Sequence, residues 1–155
     1  MSDDRRGFSL LELLTGVVFL ALLAGLALPQ YHQMRSEAVA ARAIGATQVV
    51  RTAAYAHMEA TGSWPQETSS GRVPVDLVRF LPEGFRFTHP GFSLAWRHPT
   101  WVGPGGVYSA HMTQVLTDDP SVCAAMYRLL GGTRNPDLLA ACNGTIGVVT
   151  IYYEN

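Results

Sequence analysis

The sequence predicts an α+β protein, one long N-terminal α-helix packed on a small antiparallel β-sheet. Three observations carry that expectation. The apolar run Phe8–Leu28 continues past Pro29 into an alanine-rich stripe with helical spacing. At Gly62 the composition changes, and every proline except Pro29 lies beyond it. Short β-branched and aromatic runs then alternate with Pro/Gly turns, the last being Ile146–Tyr153.

Met1–Gly7 is short and polar, with Asp3, Asp4, Arg5 and Arg6. Phe8–Leu28 follows, 21 residues with a single charge, Glu12. About 20 apolar residues at about 1.5 Å each cross a bilayer core as helix. A carboxylate at the centre of that core costs about 2.5–3.5 kcal/mol and less near its edge, which marks Glu12 as a functional position in a true span. The ring of Pro29 opposes the carbonyl of Gly25, so the Gly25/Pro29 pair predicts a kink or a local melting of the helix. Tyr31–Thr61 resumes the helix. Val39, Ala43, Ala46, Val50 and Ala53 form a narrow apolar stripe, with Arg35, Arg42 and Arg51 off it. Such a face suits close approach to a sheet. The two parts together make a helix of about 54 residues, ended by Gly62.

Beyond Gly62, Pro74–Leu81 reads as one short helical turn. Phe85–Thr88, Phe92–Trp96 and Val107–Met112 read as strands, with a turn at Gly103-Pro104-Gly105-Gly106. Asp119-Pro120 is an N-cap with proline at the first helical position, opening a helix to about Leu130 closed by Gly131-Gly132. Asn135-Pro136 opens a shorter helical piece ending near Cys142, and Ile146–Tyr153 is the final strand. The organisation is a polar leader at residues 1–7, an apolar helix at 8–29 and a globular part at 30–155. The last begins with the amphipathic helix 30–61.

Composition narrows the function. A chain of 155 residues holds one compact domain plus one membrane segment. The formal charge is −1, so bulk charge does not indicate nucleic acid as a partner. All 11 basic side chains other than histidine are arginine, which excludes a phosphate-loop lysine, a Schiff-base lysine and a Ser–Lys dyad. Charged residues make up 15%, against about 25% in an ordinary soluble domain, and the deficit lies in Phe8–Leu28. No Ser/His/Asp arrangement with a nucleophile elbow is present, and no enzymatic activity is expected. His32, His57, His89, His98 and His111 show neither an i, i+4 pair on a helix nor HExxH, and are read as surface or packing residues. Asp118-Asp119 offers calcium ligation, but helix capping explains Asp119 more simply. Trp64, Trp96 and Trp101 are assigned to the sheet core. No metal or cofactor is expected.

Cys123 and Cys142 are the only cysteines. An even count beside an export or anchoring segment favours a disulfide; two buried free thiols are the alternative. A closed loop of about 20 residues is worth about 3 kcal/mol by chain entropy.

Three readings compete for the N-terminus. One is an export signal, with Leu13–Ala27 as its apolar region and Gly25 and Ala27 before the cut. Its n-region carries as many acids as bases and still holds Glu12, which argues against it. A second is a signal anchor with Glu12 at the cytoplasmic edge. The third rests on Gly7-Phe8-Ser9-Leu10-Leu11-Glu12-Leu13. This segment resembles the type IV prepilin signal of type IV pilins and of type II secretion pseudopilins. A charged leader ends in Gly7, Phe8 opens the product, Glu12 is the fifth residue of that product, and Pro29 stands where the family commonly has proline. The close likeness covers about 30 residues; beyond it the likeness is one of architecture, with a C-terminal cysteine pair.

The resemblance implies a pilin-like fold and cleavage after Gly7 by a membrane prepilin peptidase that also N-methylates Phe8. It implies a single-pass protein of the bacterial inner membrane with its globular part in the periplasm, later built into a pilus or pseudopilus. Its partners would be membrane lipid before assembly, then other pilin subunits and the assembly machinery. Glu12 would neutralise the cationic α-amine of Phe8 on a neighbouring subunit. The expected role is a minor or accessory pilus subunit, with a type II secretion pseudopilin as the nearest alternative, and the cysteine pair favours the pilus side. A signal-anchored or exported periplasmic binding module remains the reading from a different class.

Overall fold

A computed structural model describes residues 9–103, 106–131 and 147–148. The chain divides between Arg35 and Ser36 into two units, each taken by itself below.

The first unit is helical. Its residues open α1 (Leu10–Thr61), begun by a bond from the Leu13 N–H to the Ser9 carbonyl at 3.1 Å. Leucine and alanine dominate this stretch, and both are strong helix formers. Helix is continuous through Gly25 and Pro29, so the melted alternative expected there is not found. Proline removes one N–H donor, and the well-formed turns on either side hold the rest of the ladder.

The second unit carries the core. From Ser36 onward α1 turns one face inward: Ser36, Ala40, Ala43, Thr47, Val50, Ala54 and His57 are buried at alternating spacings of four and three, flanked by Ala46 and Ala53. The expected alanine stripe is therefore the buried one, although Val39 lies at its edge and is only half-buried. Small side chains let the helix axis approach the sheet closely. Gly91 shows the same economy from the other side. Its φ is +92°, and a Cβ there would sit 3.1 Å from Cγ1 of Val39. The helix closes at Gly62 (φ +73°), whose N–H bonds the Met58 carbonyl at 2.8 Å. His57 fastens the exit by donating from Nδ1 to the Ser63 carbonyl at 2.9 Å.

A single 3-10 turn, Val75–Leu77, occupies the expected place and buries Leu77. The strands follow: β1 (Thr88–His89), β2 (Phe92–Arg97), β3 (Thr100–Gly103), β4 (Gly106–Ser109), β5 (Met112–Leu116) and, after helix α2 (Pro120–Leu129), β6 (Gly147–Val148). They make a four-stranded antiparallel sheet in the order β1-β2-β5-β6 and a two-stranded ribbon β3-β4. Phe87, Leu94, Trp96 and Val115 meet the helix stripe in one core with Val122, Ala125 and Met126 of α2.

Two strand expectations need correction, and one strand was not expected. Phe85–Thr88 pairs only from Thr88, because the preceding loop occupies the same edge of β2. Thr68 and Gly71 donate to the carbonyls of Trp96 and Leu94 at 3.0 and 2.8 Å, leaving Phe87 a single bond to Leu94. Val107–Met112 is not one strand but the end of β4 and the start of β5, interrupted at Ala110-His111. Strand β3 was hidden in a stretch too short to show alternation, yet Gly103 and Gly106, the ends of the expected turn, pair with each other. Helix α2 (Pro120–Leu129) matches its expected start: the Asp119 carboxylate accepts the Ser121 N–H at 2.9 Å and Pro120 takes the first turn. The helical piece expected at Asn135–Cys142 and most of Ile146–Tyr153 lie outside the described residues. The part that is described, β6, does pair with β5.

Replacing Ala43 by leucine should force the helix away from the sheet and cost about 1–3 kcal/mol of stability. Leucine at the exposed neighbour Ala41 should change it by less than about 0.5 kcal/mol. Chemical unfolding followed by the fluorescence of buried Trp96 measures both.

Candidate functional site

The first unit presents a helix surface that is apolar on every side. Residues advance about 100° each around a helix, so Leu10, Leu22, Phe19 and Leu20 point to four different quarters. They are 82, 62, 68 and 68% exposed. A helix apolar all round belongs inside a larger apolar body, either lipid or packed protein. By length and composition α1 is suited to cross a membrane. Glu12 sits within this surface, exposed, between Leu11 and Leu13. Its backbone carbonyl accepts the Thr15 hydroxyl at 2.9 Å, which ties the first turn together. At Gly25 an added Cβ would meet nothing within 4 Å. Gly7 and Phe8 lie outside the described residues. Glu12, Gly25 and Pro29 thus share the first unit, whereas Cys123 belongs to the second.

Cys123 is buried on the inner face of α2 and is disulfide-bonded. Cys142, the other cysteine of the sequence, is outside the described residues. Asp119 is committed to capping α2. Asp118 beside it lines a shallow groove of about 540 Å³ with Ser70, Thr88, His89, Ser93 and Thr117. Among the described residues no three His, Cys, Asp or Glu side chains are placed to hold a metal ion.

One polar constellation was missed by sequence reasoning. Trp96 is fully buried, and its indole N–H donates both to the Pro65 carbonyl at 3.1 Å and to Nε2 of His98 at 2.7 Å. The backbone N–H of His98 donates to the Glu67 carboxylate. His111 stands across the sheet with its ring centroid 4.4 Å from that of His98, nearly perpendicular. On its other side Trp64 stacks on His111 at 4.7 Å and 22°. Burial pushes the His98 imidazole below its ordinary value, opposed by the Glu67 charge and the Pro65 carbonyl. His111 is pushed down by burial and then by the charge of His98, and its Nδ1 is buried with no hydrogen-bond partner among the described residues. The sequence held one usable signal. In a strand of period two, Trp96 and His98 share a face. That His111 lies opposite follows only from the register, in which Arg97 pairs with Met112.

No protein-family model matches this chain, and no curated protein or solved structure matches it.

If Cys123 is joined to Cys142 as the sequence suggests, non-reducing peptide mapping will recover the two peptides linked. Reduction should then lower stability by about 2–5 kcal/mol, read by thermal unfolding with and without reductant.

Proposed function

We propose that this chain is a structural subunit, minor or accessory, of a type IV pilus and not an enzyme. In this reading residues 1–7 are removed after Gly7, Phe8 becomes the N-methylated first residue, and the helix from Phe8 to Pro29 is first a membrane anchor and then filament core. The observation that carries it is the first unit's surface: apolar on all sides, exposed, and broken by one carboxylate at Glu12. A globular domain that worked alone would have no use for it once exported.

The energetics fit the sequence of events. Each large apolar side chain gains about 1.5–3 kcal/mol on leaving water. Lipid supplies that gain before assembly and neighbouring helices supply it afterwards. Transfer between the two is close to neutral, so an external motor would have to drive it. Cleavage leaves an ammonium on Phe8 that must enter the same apolar body. Glu12 of an adjacent subunit would neutralise it, and a mispaired charge would be rejected. Partners in this scheme are other pilin subunits, the prepilin peptidase, and the inner-membrane assembly machinery. The disulfide-bonded Cys123 supports placing the globular part in the oxidising periplasm.

Glu12→Ala tests the assignment. Cleavage should proceed as in the parent chain, since the cut lies at Gly7. Incorporation into sheared filaments, quantified by immunoblot, should fall by about tenfold or more, because an unpaired buried charge costs about 3–5 kcal/mol. Undiminished incorporation would remove Glu12 from the mechanism.

A further inference from the structure

The β2–β5 ladder and the β3–β4 ribbon belong to one hairpin with a joint in it. The ladder ends at Arg97↔Met112 and the ribbon begins at Thr100↔Ser109. Extending the first register by one residue opposes His98 to His111, and by another Pro99 to Ala110. The next pair is the one observed. The register therefore runs unbroken through the joint, while the ladder does not. Pro99 has no N–H to donate, and a single backbone bond crosses there, from the Ala110 N–H to the Pro99 carbonyl at 3.1 Å. What else holds the joint is the side-chain cluster above it.

We propose that His98 and His111 form an acid-sensitive clasp at this joint, closed when both imidazoles are neutral and released when they take up protons. The hydrogen bond from Trp96 at 2.7 Å requires a lone pair on Nε2 of His98, so protonation at that atom sets two N–H groups against each other. The two ring centroids are 4.4 Å apart, which leaves no room for two cations without separation. His111 is also held face to face with Trp64, and Trp64 with Trp96 at 6.3 Å. Displacing either imidazole disturbs the whole stack.

The charged and titratable groups around the pair are few among the described residues. From the loop after α1, the Glu67 carboxylate bonds the His98 N–H and directs the first proton to His98. From α1, Tyr55 packs on Trp64 at 5.7 Å, with the Arg51 guanidinium 5.9 Å from the Tyr55 ring centre and so a ring further out. From β2, Arg97 alternates to the opposite face. Glu67 can offset one positive charge at His98 and has no counterpart at His111 among the described residues. Both histidines have lowered values in the closed form, so the open form binds more protons near and below the ordinary imidazole value. The clasp is whole above about pH 6.5 and weakens progressively as pH falls below that value and through the lowered values of the closed form.

The test is hydrogen exchange by mass spectrometry on the full chain in detergent micelles, at about pH 7.5 and about pH 5, on either side of the imidazole value and corrected for intrinsic rates. Amides of Thr100–Gly103 and Gly106–Ser109 should lose protection severalfold at the lower pH, because the open form takes up protons that the closed form excludes. Amides of Ala43–Ala54 should not. In H98Q/H111F, glutamine still accepts the Trp96 N–H and phenylalanine keeps the stack, so protection should stay the same at both pH values. Unchanged protection in the parent chain at the lower pH, or equal loss in the double variant, would overturn the clasp. Imidazole NMR titration of the unmutated chain gives a second reading. Two histidines titrating below about 6.5 agree with it, and all five titrating at or above that value contradict it.

Discussion

An apolar surface that encircles a helix cannot stay in water, and the rest of this molecule is arranged around that constraint. In α1 two kinds of sequence share one backbone. Up to Leu28 the side chains are mostly apolar on every face; from Ser36 the buried face is made mainly of small side chains. The first kind needs an environment supplied from outside. The second finds its cover within its own unit, in the sheet and α2.

That division explains why the globular unit is built as it is. Alanines at 40, 43, 46, 53 and 54 let the sheet approach, and Gly91 keeps the β1–β2 turn clear of Val39. The larger volume of the core comes from the opposite side, from Phe87, Leu94 and Trp96. Trp96 has two duties. Its ring fills the core, while its N–H leaves toward Pro65 and His98 and ties the core to the joint of the hairpin. The ion pair between Arg128 of α2 and Glu37 of α1 at 3.2 Å is solvent-exposed and adds little.

The elements most legible in the sequence are those specified by local chemistry. The alanine stripe, the Gly62 stop, the Asp119-Pro120 start and the Gly103–Gly106 turn each depend on residues adjacent in the chain or one helical turn apart. The strands were less legible because their partners are remote. Nothing in Phe85–Phe87 reveals that Thr68 and Gly71 hold the edge it would use. Nothing in Val107–Met112 reveals that Pro99, eight or more residues earlier, breaks the ladder. The histidine pair has no spacing motif to reveal it, because cross-strand neighbours are brought together only by register. Glu12 stood out because a lone carboxylate in an apolar helix is conspicuous without any fold. Its partner, under the proposed reading, is on another molecule.

The measurement that bears most directly on the central claim is the mass of the N-terminal peptide from protein isolated out of membranes and filaments. The account predicts a chain that begins with N-methylated Phe8 and keeps its apolar helix. A chain beginning near Leu28, with that helix gone, would contradict it.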